Sequence, residues 1–396
     1  MKVNQIYQIV NEVNAQAYGN KLPQVVDLTG LIATGNTVLS TEANKDLWFN
    51  ALADKIGKQI IVNRVYRSKY KKILLDKITF GAAIEKIRIE PLEATTNASW
   101  TLQNGDPLSP PNAHFANVKA KIFEVRNTWR NEVTLFDYQI NSAFTSESAL
   151  QALISAIYVS LDNSVEKTIE GLIKMAQANF IAEKINYKKN NPGVGIHAIN
   201  VLQEYNDETN AGLTVASAMK NTDFLKWFYN KFTDTIDAMG EYNVLFNIDK
   251  NHNFTPKDRL NIIMLNKFAR AFETYLQSDT YHNEITALPG YDSTAYWQGI
   301  GDNTFEKVST IDITTSDGNS IKQTGIVAFA FDVDALGVMF DEPRQDVYVD
   351  VNHDARHIMY KGTQGYFNDF GENAVVFYIA EDDQDAGVGA GVDNGD

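Results

Sequence analysis

Residues 146–180, SESALQALISAIYVSLDNSVEKTIEGLIKMAQANF, carry the longest periodic pattern in the chain. Leu150, Leu153, Ile154, Ile157, Leu161, Val165, Ile169, Leu172, Ile173, Ala176 and Phe180 recur in steps of three and four. That spacing aligns them along one face of an α-helix. Thr145 or Ser146 can supply the N-cap. At ~1.5 Å per residue the helix is on the order of 50 Å long, more than the width of a small domain. Gly171 inside it costs about 1 kcal/mol against alanine, a loss that a continuous packed face outweighs.

Upstream of the helix lie two runs with a period of two, KITFGAAIEKIRIEP (77–91) and NVKAKIFEVRNTW (117–129). Ile84, Lys86 and Arg88 share one parity against Glu85, Ile87 and Ile89, and Val118, Ala120 and Ile122 oppose Lys119, Lys121 and Phe123. The runs are predicted to pair as a long hairpin. Its connection includes SWTLQNGDPLSPPNAHF (99–115), in which Asn104-Gly105-Asp106-Pro107 and Pro110-Pro111 favour turns and extended backbone over helix. A loop of roughly 25 residues is uncommon inside a compact domain unless it has a function or is disordered. Trp100, Leu102, Leu108 and Phe115 are set into it, and a disordered linker seldom holds such residues. These side chains need a surface to bury against.

Residues 1–50 show no sustained stripe, and YGNKLPQVVDLTGLIATGN is interrupted by Gly19, Pro23, Gly30 and Gly35, which predicts an arm rather than a lobe. From Thr41 a short helix is expected through Leu47, Trp48, Ala51, Leu52 and Ile56, with Gly57 as its stop. Arg64, Arg67, Lys69, Lys71 and Lys72 crowd the next stretch. They form either a solvated strand face or a contact for DNA phosphates or an acidic partner segment.

Downstream, helices are expected at 221–239 and 262–277, and strands at 242–248 and 325–331 (GIVAFAF). Residues 316–319 are predicted as a hairpin turn. DVYVDVN (346–352) alternates, with Val347, Val349 and Val351 expected to face inward, and ENAVVFYIA (372–380) reads as a buried strand returning to the helix. Strands, long helix, mixed lobe and closing strands make an α+β chain.

The 396 residues are 44% hydrophobic, enough for a sizeable core in two or more lobes. No run of about 18 apolar residues suggests a membrane span, and MKVNQIYQIV lacks the apolar core of a signal peptide. With no cysteine, disulfides, thiolate metal sites and a cysteine nucleophile are excluded. The formal charge is −15, and the tail EDDQDAGVGAGVDNGD (381–396) holds six carboxylates and no base, leaving −9 for the rest. Such a body does not wrap nucleic acid by counterion release.

Motifs for chemistry fail in context. His353 and His357 have the i, i+4 spacing of a zinc pair, but Asp354 stands where the catalytic pattern needs glutamate and the flanks read as strand and turn, so surface or interface histidines are the expectation. DKNHNF (249–254) opens like a calcium loop but has Phe254 where glycine is required. GVGAGV lacks the strand and helix of a dinucleotide site. No catalytic residue, metal site or cofactor is assigned.

Three stretches carry a family resemblance: NKDLWFNALADKIGKQIIVNRV with KKILLDKITFGAAIEKIRIEP, FTSESALQALISAIYVSLDNSVEKTIEGLIKMAQANF, and GIVAFAFDVDALGVMFDEPR with FNDFGENAVVFYI. In this order they resemble the tailed-phage major capsid proteins of the Hong Kong 97-type fold, nearest to the small phi-twenty-nine-like, or picovirus-like, podoviruses of Gram-positive bacteria. The resemblance implies an N-terminal arm (1–57), an extended β-hairpin loop and its base (58–135), a peripheral domain with the spine helix (136–195), an axial domain (196–340), return strands of the peripheral domain (341–380) and an acidic tail (381–396). Some relatives append an immunoglobulin-like domain where this chain is expected to stop.

It further implies a structural subunit, not an enzyme, that self-assembles through pentamers and hexamers into the icosahedral shell around a double-stranded DNA genome. The virion, and the host cytoplasm during assembly, would be its location. A scaffolding protein, a portal protein at one vertex and weakly held DNA would be its partners, with no membrane. Trp100, Leu102, Leu108 and Phe115 would then lie on a neighbouring subunit. The alternatives are an encapsulin-type nanocompartment shell in the same fold, or a histidine-metal enzyme using His353 and His357.

Overall fold

The computed structural model describes residues 3–62, 73, 83–90, 103, 117–124, 127–277, 290–314, 320–340 and 344–381. In chain order these hold α1 Val3–Tyr18, α2 Leu28–Leu39, α3 Glu42–Val62, β1 Ala83–Ile89, β2 Val118–Glu124, β3 Asn127–Phe136, α4 Asp137–Ala143 and α5 Glu147–Asn190. There follow β4 Ala198–Asn200, α6 Val201–Thr209, α7 Val215–Ala218, α8 Thr222–Gly240, β5 Leu260–Leu265, α9 Asn266–Gln277, β6 Asp292–Thr294 and α10 Phe305–Val308. The last strands are β7 Ile311–Thr314, β8 Ser320–Gln323, β9 Ile326–Asp332, β10 Leu336–Phe340, β11 Arg344–Asp350, β12 Ala355–Asn368 and β13 Ala374–Tyr378. They fall into two units: Met1–Phe80, Arg126–Ala176 and Gly337–Tyr366, and Gly81–Val125, Gln177–Leu336 and Phe367–Asp396.

In the first unit the expected broken arm is three packed helices. Asp27 caps α2, its Oδ1 accepting from the Gly30 amide at 2.7 Å. Gly35 sits within that helix because a Cβ there would lie 2.8 Å from Cβ of Phe144. Trp48 of α3 is buried against Phe144 at 5.2 Å, and its Nε1 donates to Asn14 Oδ1 of α1 at 3.0 Å. With its earlier turns so anchored, α3 continues past Gly57 to Val62, since one glycine costs only about 1 kcal/mol.

Helix α5 extends the predicted helix to 44 residues. Of the predicted stripe, Leu150, Ile154, Ile157, Leu161, Val165, Ile169, Leu172 and Ile173 are buried in the first unit. Its sheet centres on β12, antiparallel to β3 and to β11 and flanked also by β10. The run 117–129 therefore divides, β2 ending at Glu124 and β3 starting at Asn127 in another sheet. The inward valines of 346–352 are also corrected. Val349 is 39% and Val351 81% exposed, because β11 is an edge strand and Val351 belongs to the turn after it.

The second unit is built on the sheet β4-β13-β9-β5-β6. Every residue of β9, β5 and β13 is buried, and register explains why. Phe329 pairs with Val376 and Ala328 with Phe377, so Phe329 and Phe377 point to opposite faces. Phe180 of α5 meets Phe329 at 5.6 Å, while Phe232 of α8 meets Phe377 at 4.8 Å. Helices on both sides suit apolar runs without alternation. The helix expected over 262–277 begins only at Asn266, and 260–265 is strand, a run too short for periodicity to distinguish the two. Residues 242–248 are bends and turns rather than a strand, with Asn243 forming an isolated antiparallel bridge to Asn253. The Asn243 side chain donates to Ala238 O and accepts from the Leu245 amide, a local arrangement that competes with strand pairing.

Candidate assembly site

The β1–β2 hairpin belongs to the second unit, and its two faces have opposite chemistry. Opposite partners run from Ala83↔Glu124 to Ile89↔Val118, which places Ile84, Lys86, Arg88, Lys121 and Phe123 on one side. Glu85, Ile87, Ile89, Val118 and Ile122 take the other. The usual arrangement buries apolar side chains and leaves charges in water. Here it is inverted. Ile87, Ile89, Val118 and Ile122 are 56–65% exposed, while the cations turn onto the body of their unit.

An acidic segment between β12 and β13 receives the cations. Asp369 Oδ2 lies 3.0 Å from Lys86 Nζ and its Oδ1 2.9 Å from Lys121 Nζ. Arg88 donates to Glu372 at 2.9 Å, and Lys121 also pairs with Asp249. Phe123 packs on Phe367 at 5.2 Å, with the Lys86 ammonium 5.3 Å above that second ring. Burial pushes the Asp369 carboxyl up, but Lys86 and Lys121 outweigh it and hold it below the usual carboxylate range. Burial likewise opposes the charge on Lys121, and its bonds to Asp249 and Asp369 prevail and raise it.

The receiving segment is itself fixed. The Asp369 amide donates to Ala335 O at 2.7 Å, the Ile248 amide to Phe370 O at 2.9 Å, and Asn253 Nδ2 to Glu372 Oε2 at 2.6 Å. Of the residues that mimic a calcium loop in sequence, Asp249 and Asn253 are thus spent on the hairpin and on Glu372, while Asn251 is held through its backbone by the Asn247 side chain. A cleft of about 660 Å³ lies between hairpin and segment.

The loop-tip residues Trp100, Leu102, Leu108 and Phe115 lie outside the described residues, as do Arg64, Arg67, Lys69, Lys71 and Lys72 and the turn at 316–319. His353 stands in the turn after β11 and His357 on β12, not on one helix face, and each pairs with a carboxylate, Asp350 and Glu132 respectively, at 2.7 Å. Among the described residues no group of three or more histidines and carboxylates could hold a metal ion, and no helix is long and apolar enough to cross a membrane. The roles of Lys86, Lys121 and Asp369 were missed in the sequence. The visible signal was lysine and arginine alternating with isoleucine on a strand.

Residues 7–378 match the family model of the Phi29-like phage major capsid protein. The chain belongs to this family. It is a structural subunit of the phage head shell and not an enzyme, and the match favours a phage shell over a bacterial nanocompartment. No curated protein matches. Among solved structures, the capsid of Staphylococcus phage Andhra is 10% identical, with 80% of this chain and 84% of that one covered at a TM-score of 0.47. The head fiber and inner core protein gp22 structure of native bacteriophage P68 gives 10% identity, 79% and 85% coverage and a TM-score of 0.49. The capsid of Cyanophage P-SCSP1u gives 11%, 78%, 86% and 0.46. Scores below 0.5 carry no argument, so membership rests on the family match.

Proposed function

We propose that this capsid protein has the Hong Kong 97-type fold, closest to the small podoviruses of Gram-positive hosts, and closes an icosahedral shell from pentamers and hexamers. Residues 58–135 are its extended loop, 1–57 its N-terminal arm, 136–195 with 341–380 its peripheral domain, 196–340 its axial domain and 381–396 an acidic tail. Trp100, Leu102, Leu108 and Phe115 bury on the neighbouring subunit. The observation that supports this reading is the hairpin's apolar outer face, left open while its charged face is satisfied within the subunit. At about 25 cal/mol per Å², a few hundred Å² per contact suffices when repeated around a closed shell.

The negative body encloses double-stranded DNA without gripping it, since strong uniform attraction would oppose packaging and ejection. Arg64, Arg67, Lys69, Lys71 and Lys72 provide a local contact with DNA or with the acidic tail. A scaffolding protein during assembly and a portal at one vertex complete the partners.

Electron microscopy of the purified full-length chain, alone and with its phage's assembly proteins, tests the reading. Closed particles with five- and six-fold capsomers are expected, and a monodisperse monomer under every condition overturns it. Trp100→Asp and Phe115→Asp should leave a folded subunit that makes no particles. Normal particles from either variant would remove the loop tip as an intersubunit contact.

A further inference from the structure

A two-stranded hairpin is marginally stable on its own in water. This one also places Lys86 directly opposite Lys121, a like-charge pair that disfavours the ladder unless an anion is shared between them. Asp369 is that anion, one oxygen to each ammonium, and it is 3% exposed. Three acceptors, the backbone-tied Asp369 and Glu372 together with Asp249, hold cations from both strands, so the ribbon is restrained against rotation as well as against lifting. Without them the hydrophobic effect would favour the opposite arrangement, with Ile87, Ile89, Val118 and Ile122 folded onto the subunit.

Gly371 belongs to the same device. A Cβ there would lie 2.5 Å from Asp249 Oδ2 and 3.0 Å from Lys121 Nζ, displacing the ion pair while leaving the backbone in place. Buried ion pairs seldom add net stability, and their best-attested use is to select one arrangement among several.

We infer that the Asp369–Glu372 segment is a charge latch that holds the β1–β2 ribbon on the unassembled subunit with its apolar face outward, presetting the surface before any sister copy arrives. The latch acts within one chain. Only its consequence for assembly rests on the shell reading above.

Hydrogen exchange read by mass spectrometry on the unassembled full-length chain tests it, with Asp369→Asn and Gly371→Ala as variants. Neither substitution touches the hairpin, so the intrinsic exchange rates of residues 83–89 and 118–124 are unchanged. Amides in both strands should exchange about tenfold faster in each variant, with β9 and β13 as protected as in the parent. Unchanged exchange in the hairpin, or an equal rise in β9 and β13, overturns the latch. Absence of particles from the parent chain would sink the shell reading and leave the exchange result standing.

Discussion

Lys86 and Lys121 face each other across the β1–β2 ladder, and the single carboxylate of Asp369 bridges them at 3.0 and 2.9 Å. Two mutually repelling residues thereby become the means of attachment, and the apolar faces of both strands are left to water. Fold and site meet at this point. The acidic segment leads into the all-buried strand β13, so the position of the ribbon is referred to the core of its unit.

The attachment has a defined pH window. The depressed Asp369 value means that its contribution is complete above the ordinary carboxylate value of about 3.9 and disappears as pH falls through the lowered one. The raised Lys121 value means that its contribution is complete below about 10.4 and is lost above its own raised value. Asp369→Asn should therefore speed amide exchange in β1 and β2 about tenfold at pH 7, with the gap to the parent narrowing as pH falls below about 3.9. Hydrogen exchange of variant and parent, compared at each pH, checks this.

Arg356 in the first unit is fully buried and donates to Glu42, Asp137 and, at 3.3 Å, Asp46, with its guanidinium 5.7 Å from the Phe49 ring. Lysine cannot span several carboxylates from one planar group, so Arg356→Lys should not rescue the loss. Both Arg356→Lys and Arg356→Met are expected to destabilise by about 3 kcal/mol. A lysine variant as stable as the parent in chemical denaturation would show that charge alone suffices there.

What the sequence disclosed depended on how locally each element is determined. The α5 stripe was legible because eight of its buried residues repeat with the helical period over most of the element. The buried runs of β9 and β13 were legible because strands covered on both faces need no alternation. Residues 260–265 were not, since six apolar-rich positions fit either state until β9 pairs with them. The N-terminal helices were obscured by Gly30 and Gly35, whose reasons are a cap at Asp27 and a distant ring at Phe144. The latch was least legible of all. Alternation of Lys86, Ile87, Arg88 and Ile89 gives the two faces but not which is turned in, and that choice rests with Asp369, far along the chain.

Gly35 offers a steric test of the N-terminal packing. A methyl group would meet Cβ and two ring carbons of Phe144 at 2.8–2.9 Å in a buried setting where neither side can retreat. Although alanine favours an isolated helix by about 1 kcal/mol, overpacking of about 1–3 kcal/mol should win. Gly35→Ala is expected to lower the thermal midpoint, and Gly35→Ala combined with Phe144→Leu to recover part of it.

Lys184 of α5 is fully buried, donates to Phe246 O at 2.7 Å and sits 3.3 Å from His197 Nδ1. Burial pushes Lys184 down to about 7, and burial with the neighbouring ammonium pushes His197 down to about 3. In both cases the unfolded chain binds the proton more readily, so stability rises with pH across each interval between folded and unfolded values. From Lys184 that rise runs from about pH 7 toward 10. Lys184→Met should remove it, giving equal unfolding free energies at pH 7 and pH 9 from this site, where the parent gains. A parent with no gain over that range would contradict the burial of the amine.

Ile89 and Val118 are directly opposed on the ribbon's outer face, 65% and 56% exposed. Little among the described residues covers them, so an aspartate at Ile89 removes from the subunit chiefly its cross-strand contact with Val118. A surface substitution of this kind changes stability by about 0.5 kcal/mol or less. In an assembled shell the same side chain would be buried against a sister copy, and fully burying an isoleucine is worth about 1.5–3 kcal/mol at every repeat of the contact. Placing an unpaired carboxylate there costs more than that gain returns. Ile89→Asp should therefore unfold at the parent's urea midpoint yet yield no sedimenting particles. Particle yields equal to the parent's would mean that the apolar outer face stays in water in the finished head, and that assembly is driven from elsewhere on the subunit.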